Sequence, residues 1–122
     1  MEAGLADAIA HVPIFVRRLD GRIVHWTPGC GQLFGHAAGE AEGALAHELL
    51  RTVLPEPRET IEAALLTRGE WSGRLRHVTA TGEELWTESV WRLRDSQNPG
   101  GKIAIEQHTD VTHPVAPEPK RA

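Results

Sequence analysis

Apolar and polar residues alternate with period two along "EELWTESVWRLR" (83–94), the pattern of a strand with one buried face. Leu85, Thr87, Ser89, Trp91 and Leu93 share one side, and Trp86, Glu88, Val90 and Arg92 share the other. The first set is assigned inward, because its ends are apolar. Trp71, Gly73 and Leu75 of the preceding run, "EWSGRLRHVTA", oppose it across a hairpin that turns at Thr81-Gly82. After the loop "DSQNPGG", "KIAIEQHTDV" predicts one more strand.

Earlier in the chain, "IFVRRLDGRIVHW" reads as a hairpin, two β-rich runs joined by a two-residue turn at Asp20-Gly21. Thr27-Pro28 supplies a helix cap followed by proline at the first helical position. Gly29, Gly31 and Gly35 keep the helix that follows short, with Gly35 as its stop. From His36 to Leu54 the pattern is of short helices interrupted at Gly39 and Gly43. "PEPRETIEAALLTRG" is the strongest helical stretch, with Ile61, Ala64 and Leu65 on one face and Gly69 closing it. "GLADAIAH" (4–11) places Leu5, Ala8 and Ile9 on one stripe of a short amphipathic helix ended by Pro13. The tail "THPVAPEPKRA" holds three prolines and reads as a frayed end.

Two strands, a block of short helices and three strands segregate helix from sheet, which predicts an α+β domain with an antiparallel sheet. The 122 residues suit one domain, divided as an N-terminal helix (1–12), a folded unit (13–112) and a proline-rich tail (113–122). A net charge of −4 argues against general nucleic-acid affinity. The single cysteine excludes an internal disulfide. No apolar stretch reaches the roughly 20 residues that cross a bilayer, and the first residues lack a signal-peptide layout, so a cytoplasmic location is expected.

The glycine-rich stretch "IVHWTPGCGQLFG" (23–35) admits three readings. A phosphate cradle requires a spacing that G-x-G-x-x-x-G does not match, and no P-loop lysine follows. A reactive thiol at Cys30 needs a base nearby, with His25 and His36 the closest in sequence. The favoured reading is a strand giving way to a packed helix, with Cys30 as a small buried filler.

Together, "DGRIVHWTPGCGQLFGHAAGEAEG", "GEWSGRLRHVTATGEELWTESVWRLRD" and "DVT" resemble a PAS domain, a sensory and interaction module of signalling proteins. The resemblance spans residues 4 to 112. It rests on the Asp20-Gly21 hairpin, the Leu33-Phe34-Gly35 triplet, Gly43, Gly69 to Trp71 with Gly73, the Gly82 turn and the closing Asp110-Val111-Thr112. Thr27 stands where the family usually has asparagine, a substitution that still caps a helix.

The resemblance implies a five-stranded antiparallel sheet with short helices on one face and a ligand cavity between them. Leu33, Phe34, Leu45, His47, Leu65, Trp71, Leu75, Thr87, Ser89, Trp91, Ile103 and Ile105 are its candidate lining. Hydroxyls at 87 and 89, between large apolar residues, suit either a ligand-orienting role or a filled core. Flavin-binding relatives carry a cysteine where Ala46 stands, so flavin photochemistry is not expected. Oxygen-sensing relatives hold haem through a histidine on the long helix before the third strand. That helix has none here, which leaves His47 as the candidate iron ligand and His77 as a weaker one. The other five histidines lack metal-site spacing, and no metal is expected.

The expected function is a sensor module that binds a small ligand or a protein partner and relays a conformational change. A haem-bound gas sensor is the first alternative, and a small enzyme using Cys30 and His25 a remoter one. The outward Trp86 and Val90, with Leu5 and Ile9 of the N-terminal helix, are the candidate homodimer interface. The expected output partner is a signalling protein such as a histidine kinase.

Overall fold

The first hairpin forms where expected, but with a longer turn. In the computed structural model, which describes residues 11–96 and 101–112, β1 (Ile14–Arg18) and β2 (Ile23–Trp26) pair antiparallel. Residues 19–22 separate the strands instead of two residues, and the register shifts between Val16 and Arg17. The Asp20 side chain is the physical reason. Its Oδ1 accepts the Arg22 N–H (3.0 Å), while the Gly21 N–H donates to the Arg18 carbonyl (3.0 Å). This closes a wider loop with Gly21 at φ 101°.

Thr27 then does three things at once. Its Oγ1 accepts the N–H of Cys30 (3.3 Å) to cap α1 (Pro28–Phe34), accepts the Ile14 N–H (3.3 Å), and donates to the Val12 carbonyl (3.0 Å). The last two bonds fix how the chain enters β1. Gly29 is required by close approach: a Cβ there would sit 2.5 Å from the His11 carbonyl oxygen. Gly35 ends the helix in the left-handed region (φ 87°), as expected.

Two short helices follow, α2 (Ala38–Ala41) and α3 (Ala46–Leu49). Gly39 lies inside α2 rather than breaking it. The long helix α4 (Arg58–Arg68) starts three residues later than the run from Pro55 suggested, because Pro57 disfavours helical geometry at Glu56. It stops at Gly69 as predicted.

Three long strands complete the fold: β3 (Glu70–Val78), β4 (Glu84–Asp95) and β5 (Lys102–Asp110). The sheet order is β2-β1-β5-β4-β3, antiparallel throughout. β5 thus lies between β1 and β4 and joins the first hairpin to the β3–β4 hairpin. The segment after α3 docks on the free edge of β3 through Val53–Arg76 backbone bonds.

The alternation assigned to β4 holds, with Leu85, Thr87, Ser89 and Trp91 buried and Trp86 exposed. On β5 the expected phase is reversed. Ala104, Glu106 and His108 face the helices and are buried, while Ile103 and Ile105 belong to the opposite face. The pairing dictates this: Trp91 lies opposite Glu106, and Leu93 and Arg17 lie opposite Ala104, so the isoleucines fall beside the outward Arg92 and Arg94.

The described residues form two interior apolar clusters. Phe15, Ile23, Trp26, Cys30, Phe34 and Leu50 belong to one; Ile61, Leu65, Leu75, Trp91 and Ala104 form the other. A row of buried polar side chains shares the same face of the sheet. Residues 1–10, with Leu5 and Ile9, most of the loop before β5, and the tail from 113 lie outside the described residues. No helix among the described residues is long and apolar enough to cross a membrane.

Candidate functional site

Arg17 points inward from β1 and is only 3% exposed. An unpaired guanidinium cannot be buried cheaply, and the fold surrounds this one with partners. Its Nε donates to Glu106 Oε2, its Nη2 to Glu62 Oε2 of α4 (3.0 Å), and its Nη1 to the Arg18 carbonyl (3.2 Å). The guanidinium also lies 4.7 Å from the centroid of the Trp91 ring. Burial alone would lower the Arg17 pKa, but the two carboxylates overcome it and raise the value. Burial likewise pushes against ionised Glu106, yet Arg17 and the hydrogen bond from His108 hold that carboxyl below its ordinary range.

From Glu106 a chain of hydrogen bonds crosses the sheet in strand order. His108 Nε2 meets Glu106 Oε1 (3.0 Å), and His108 Nδ1 meets Thr87 Oγ1 (3.1 Å). Thr87 Oγ1 meets His77 Nε2 (3.0 Å), and His77 Nδ1 meets Thr52 Oγ1 (3.0 Å). Where each ring carries a single proton, chemistry permits one polarity. The carboxylate only accepts, so His108 carries its proton on Nε2 and receives the Thr87 hydroxyl at Nδ1. Thr87 then accepts from His77 Nε2–H, and Thr52 donates to His77 Nδ1. Burial, and then the neighbouring His108, lower the His77 pKa to about 3, so His77 is neutral across the physiological range.

A cleft opens at the Arg17 end of this chain, between the sheet, α3 and α4. Phe15, Leu50, Leu54, Ala46 and Trp91 form its apolar wall, and Arg17, Glu62, Glu106, Arg58, His47 and Thr52 its polar one. Its free space is about 30 Å³, room for a single water molecule. Sites for drug-sized ligands run to several hundred Å³, far more than this cleft offers as it stands. His47 does line the cleft, with its ring 3.2 Å from where a Gly21 Cβ would sit. Burial, followed by the charge of Arg58, lowers its pKa. His77, the other iron-ligand candidate, has both ring nitrogens engaged by threonines.

Of the sequence-predicted lining, the cleft brings together only His47 and Trp91. Phe34 packs among Trp26, His77 and His108, and Leu33 packs against the same cluster. Leu65 and Leu75 lie in the second cluster, Trp71 rests on Trp91 at 4.9 Å, and half-buried Leu45 sits over Gly21. The Thr87 hydroxyl is spent on the two histidines. Ser89 accepts from Trp91 Nε1 (2.8 Å) and donates to the Gln107 carbonyl (3.2 Å).

Cys30 and His25 are not brought together. His25 is exposed on β2, and Cys30 is buried, its thiol pushed up by desolvation to about 11. Sequence reasoning missed Arg17, Glu62, Glu106 and His108. The usable signal was a charge on the inward phase of two strands, Arg17 alternating with Phe15 and Glu106 with Ala104 and His108.

The model of the PAS fold matches residues 1–103. The chain belongs to the PAS family. No curated protein matches it. Among solved structures, it is similar to a PAS domain from Colwellia psychrerythraea, with 25% identity, a TM-score of 0.73, and coverage of 90% of this chain and 96% of that one. It also resembles the PAS domain of nitrogen regulation protein NR(II) from Vibrio parahaemolyticus (15% identity, TM-score 0.72, 88% and 98% covered). The LOV domain of a blue-light activated histidine kinase from Erythrobacter litoralis is a further match (15% identity, TM-score 0.67, 82% and 95% covered). The latter two likenesses concern the fold. As a PAS domain, the chain is a module of the signalling and sensing class.

Proposed function

We propose that this PAS domain is a non-catalytic sensor: it admits a small ligand to the cleft between α4 and the sheet and passes the resulting movement to a signalling partner. The observation that carries this reading is the buried Arg17, held at the cleft between a carboxylate of the sheet and one of α4. A helix tied to the sheet through a displaceable ion pair is a plain means of converting occupancy into movement. Residues 13–112 are the sensing unit in this reading. A histidine kinase or similar effector is the proposed partner, in keeping with the kinase named for one structural relative.

The module is proposed to work as a homodimer through the outer face of the sheet. There Trp86 is 38% exposed, and Val90, Ile103 and Ile105 are half-buried, leaving an apolar surface for a second copy. The segment carrying Leu5 and Ile9 is assigned to the same contact. The test is native mass spectrometry of protein purified from its host, which reports bound small molecules and copy number together. A monomer without ligand, unchanged in assembly by Trp86→Glu at micromolar concentration, refutes the reading.

A further inference from the structure

The two carboxylates on Arg17 are unequal. Glu106 is buried and also receives His108 Nε2–H. Glu62 sits at the mouth with its side chain 21% exposed, and among the described residues Arg17 is its only ion-pair partner. We propose that Glu62 is a placeholder, and that the cleft takes a monocarboxylate with a short apolar tail whose carboxylate replaces that of Glu62 on Arg17 Nη2. This rests on reading the cleft as the sensor's ligand site.

Charge, shape and size each narrow the ligand. The ionised groups that line the cleft are Arg17 and Arg58 against Glu62 and Glu106. Withdrawing Glu62 leaves a net positive cavity, which a single carboxylate neutralises and a neutral molecule does not. The guanidinium is built for a carboxylate, being planar with fixed donors. Beyond it the wall is apolar, formed by Phe15, Leu50, Leu54 and Trp91, so the rest of the ligand is hydrocarbon. With about 30 Å³ free, the tail must lie largely in the volume that Glu62 vacates, which keeps it short.

The exchange swaps one carboxylate for another on the same donor, so the Coulombic cost is small. The drive comes from burying the tail, about fourfold in affinity per methylene. Its structural consequence falls on α4. Glu62 directly follows Ile61 and lies one turn before Leu65, the side chains that pack this helix on β3 and β4. Loss of the Arg17 bond leaves α4 held by that packing and by the bond from the Leu93 N–H to the carbonyl of its C-cap, Gly69, so that its N-terminal part can shift relative to β1.

The test is a titration of the whole chain at pH 7, followed by calorimetry and amide NMR, with acetate, propionate and butyrate against propionamide and butyramide. The expected result is saturable binding of the acids, tightening about fourfold from propionate to butyrate, with shifts concentrated at Arg17, Glu62 and α4 and none from the amides. Because Arg17→Met can unfold the protein, Glu62→Ala carries the decision: it keeps Arg17 and Glu106 and removes the competitor. Butyrate should bind it about tenfold tighter than wild type, the worth of one charge-assisted hydrogen bond. Equal response to acids and amides, or no gain in Glu62→Ala, overturns the proposal. If native mass spectrometry recovers a ligand without a carboxylate while the acids fail in both proteins, the carboxylate assignment falls and the sensor reading stands.

Discussion

Replacing Arg17 by methionine tests the buried charge arrangement directly. The substitution keeps an unbranched side chain of similar length but removes three donors, from Glu106, Glu62 and the Arg18 carbonyl. Glu62 reaches solvent and loses little. Glu106 does not: its side chain is 6% exposed and, among the described residues, retains only His108. Breaking a buried ion pair by deleting one partner costs about 3–5 kcal/mol, mostly through the charge left behind. A domain of this size is stable by about 5–15 kcal/mol, so the loss is severe yet measurable by urea unfolding. The pH dependence identifies the cause. In the wild type the Glu106 pKa is depressed from 4.5, so its contribution is complete above that value and is lost as pH falls through the lower folded value. In Arg17→Met the remaining desolvation raises the Glu106 pKa, so the penalty is present at neutral pH and relieved as the group protonates. The gap between the two proteins is therefore widest at pH 7 and narrows toward pH 5. Arg17→Met/Glu106→Gln, which removes both charges, should recover most of the loss. A gap below about 1 kcal/mol at pH 7, or one of equal size at pH 5 and 7, refutes the reasoning.

Three further outcomes are expected. Cys30, with its pKa raised from 9.0 to about 11, should resist a disulfide reagent at pH 8 in the folded protein and react on addition of denaturant; its raised value favours folding up to the unfolded thiol pKa and loses that advantage as pH climbs toward 11. His77, lowered from 6.5 to about 3, favours folding above pH 6.5 and loses this as pH falls from there; nitrogen-15 shifts should show a neutral His77 ring protonated on Nε2 at pH 7, and the Nδ1–H form at that position rules out the assigned polarity. Gly73→Ala places a Cβ 2.6 Å from the Trp71 ring, so it should cost about 1–3 kcal/mol and alter the fluorescence from the Trp71–Trp91 pair, whereas an unchanged spectrum and stability would show that Trp71 is free to move aside.

Much of the scaffold was legible because its determinants are local. Thr27-Pro28 and Gly35 bracket α1 by capping chemistry that needs nothing beyond the neighbouring residues. Gly69 stops α4 in the same way, and the period-two pattern of β4 identifies its buried face unaided. The order of elements, two strands, helices, three strands, was enough for the antiparallel sheet, while the family rested on spaced motifs such as Asp20-Gly21, Leu33-Phe34-Gly35 and Asp110-Val111-Thr112. The turn at Asp20-Gly21 was misjudged in length because Asp20 bonds to Arg22 and widens the loop, a choice between turns of similar local energy.

The site belonged to the tertiary structure. Arg17 and Glu106 are 89 residues apart and meet only because β5 inserts between β1 and β4. On hydrophobicity alone, "KIAIEQH" puts Ile103 and Ile105 inward. The opposite phase prevails because strand register is cooperative along the whole ladder, and it delivers to Arg17 the carboxylate that its burial demands. Local chemistry along the chain dictates where elements start, stop and show an apolar face. Only the packed sheet decided which buried charges face one another, since that depends on strand order, which no local pattern encodes.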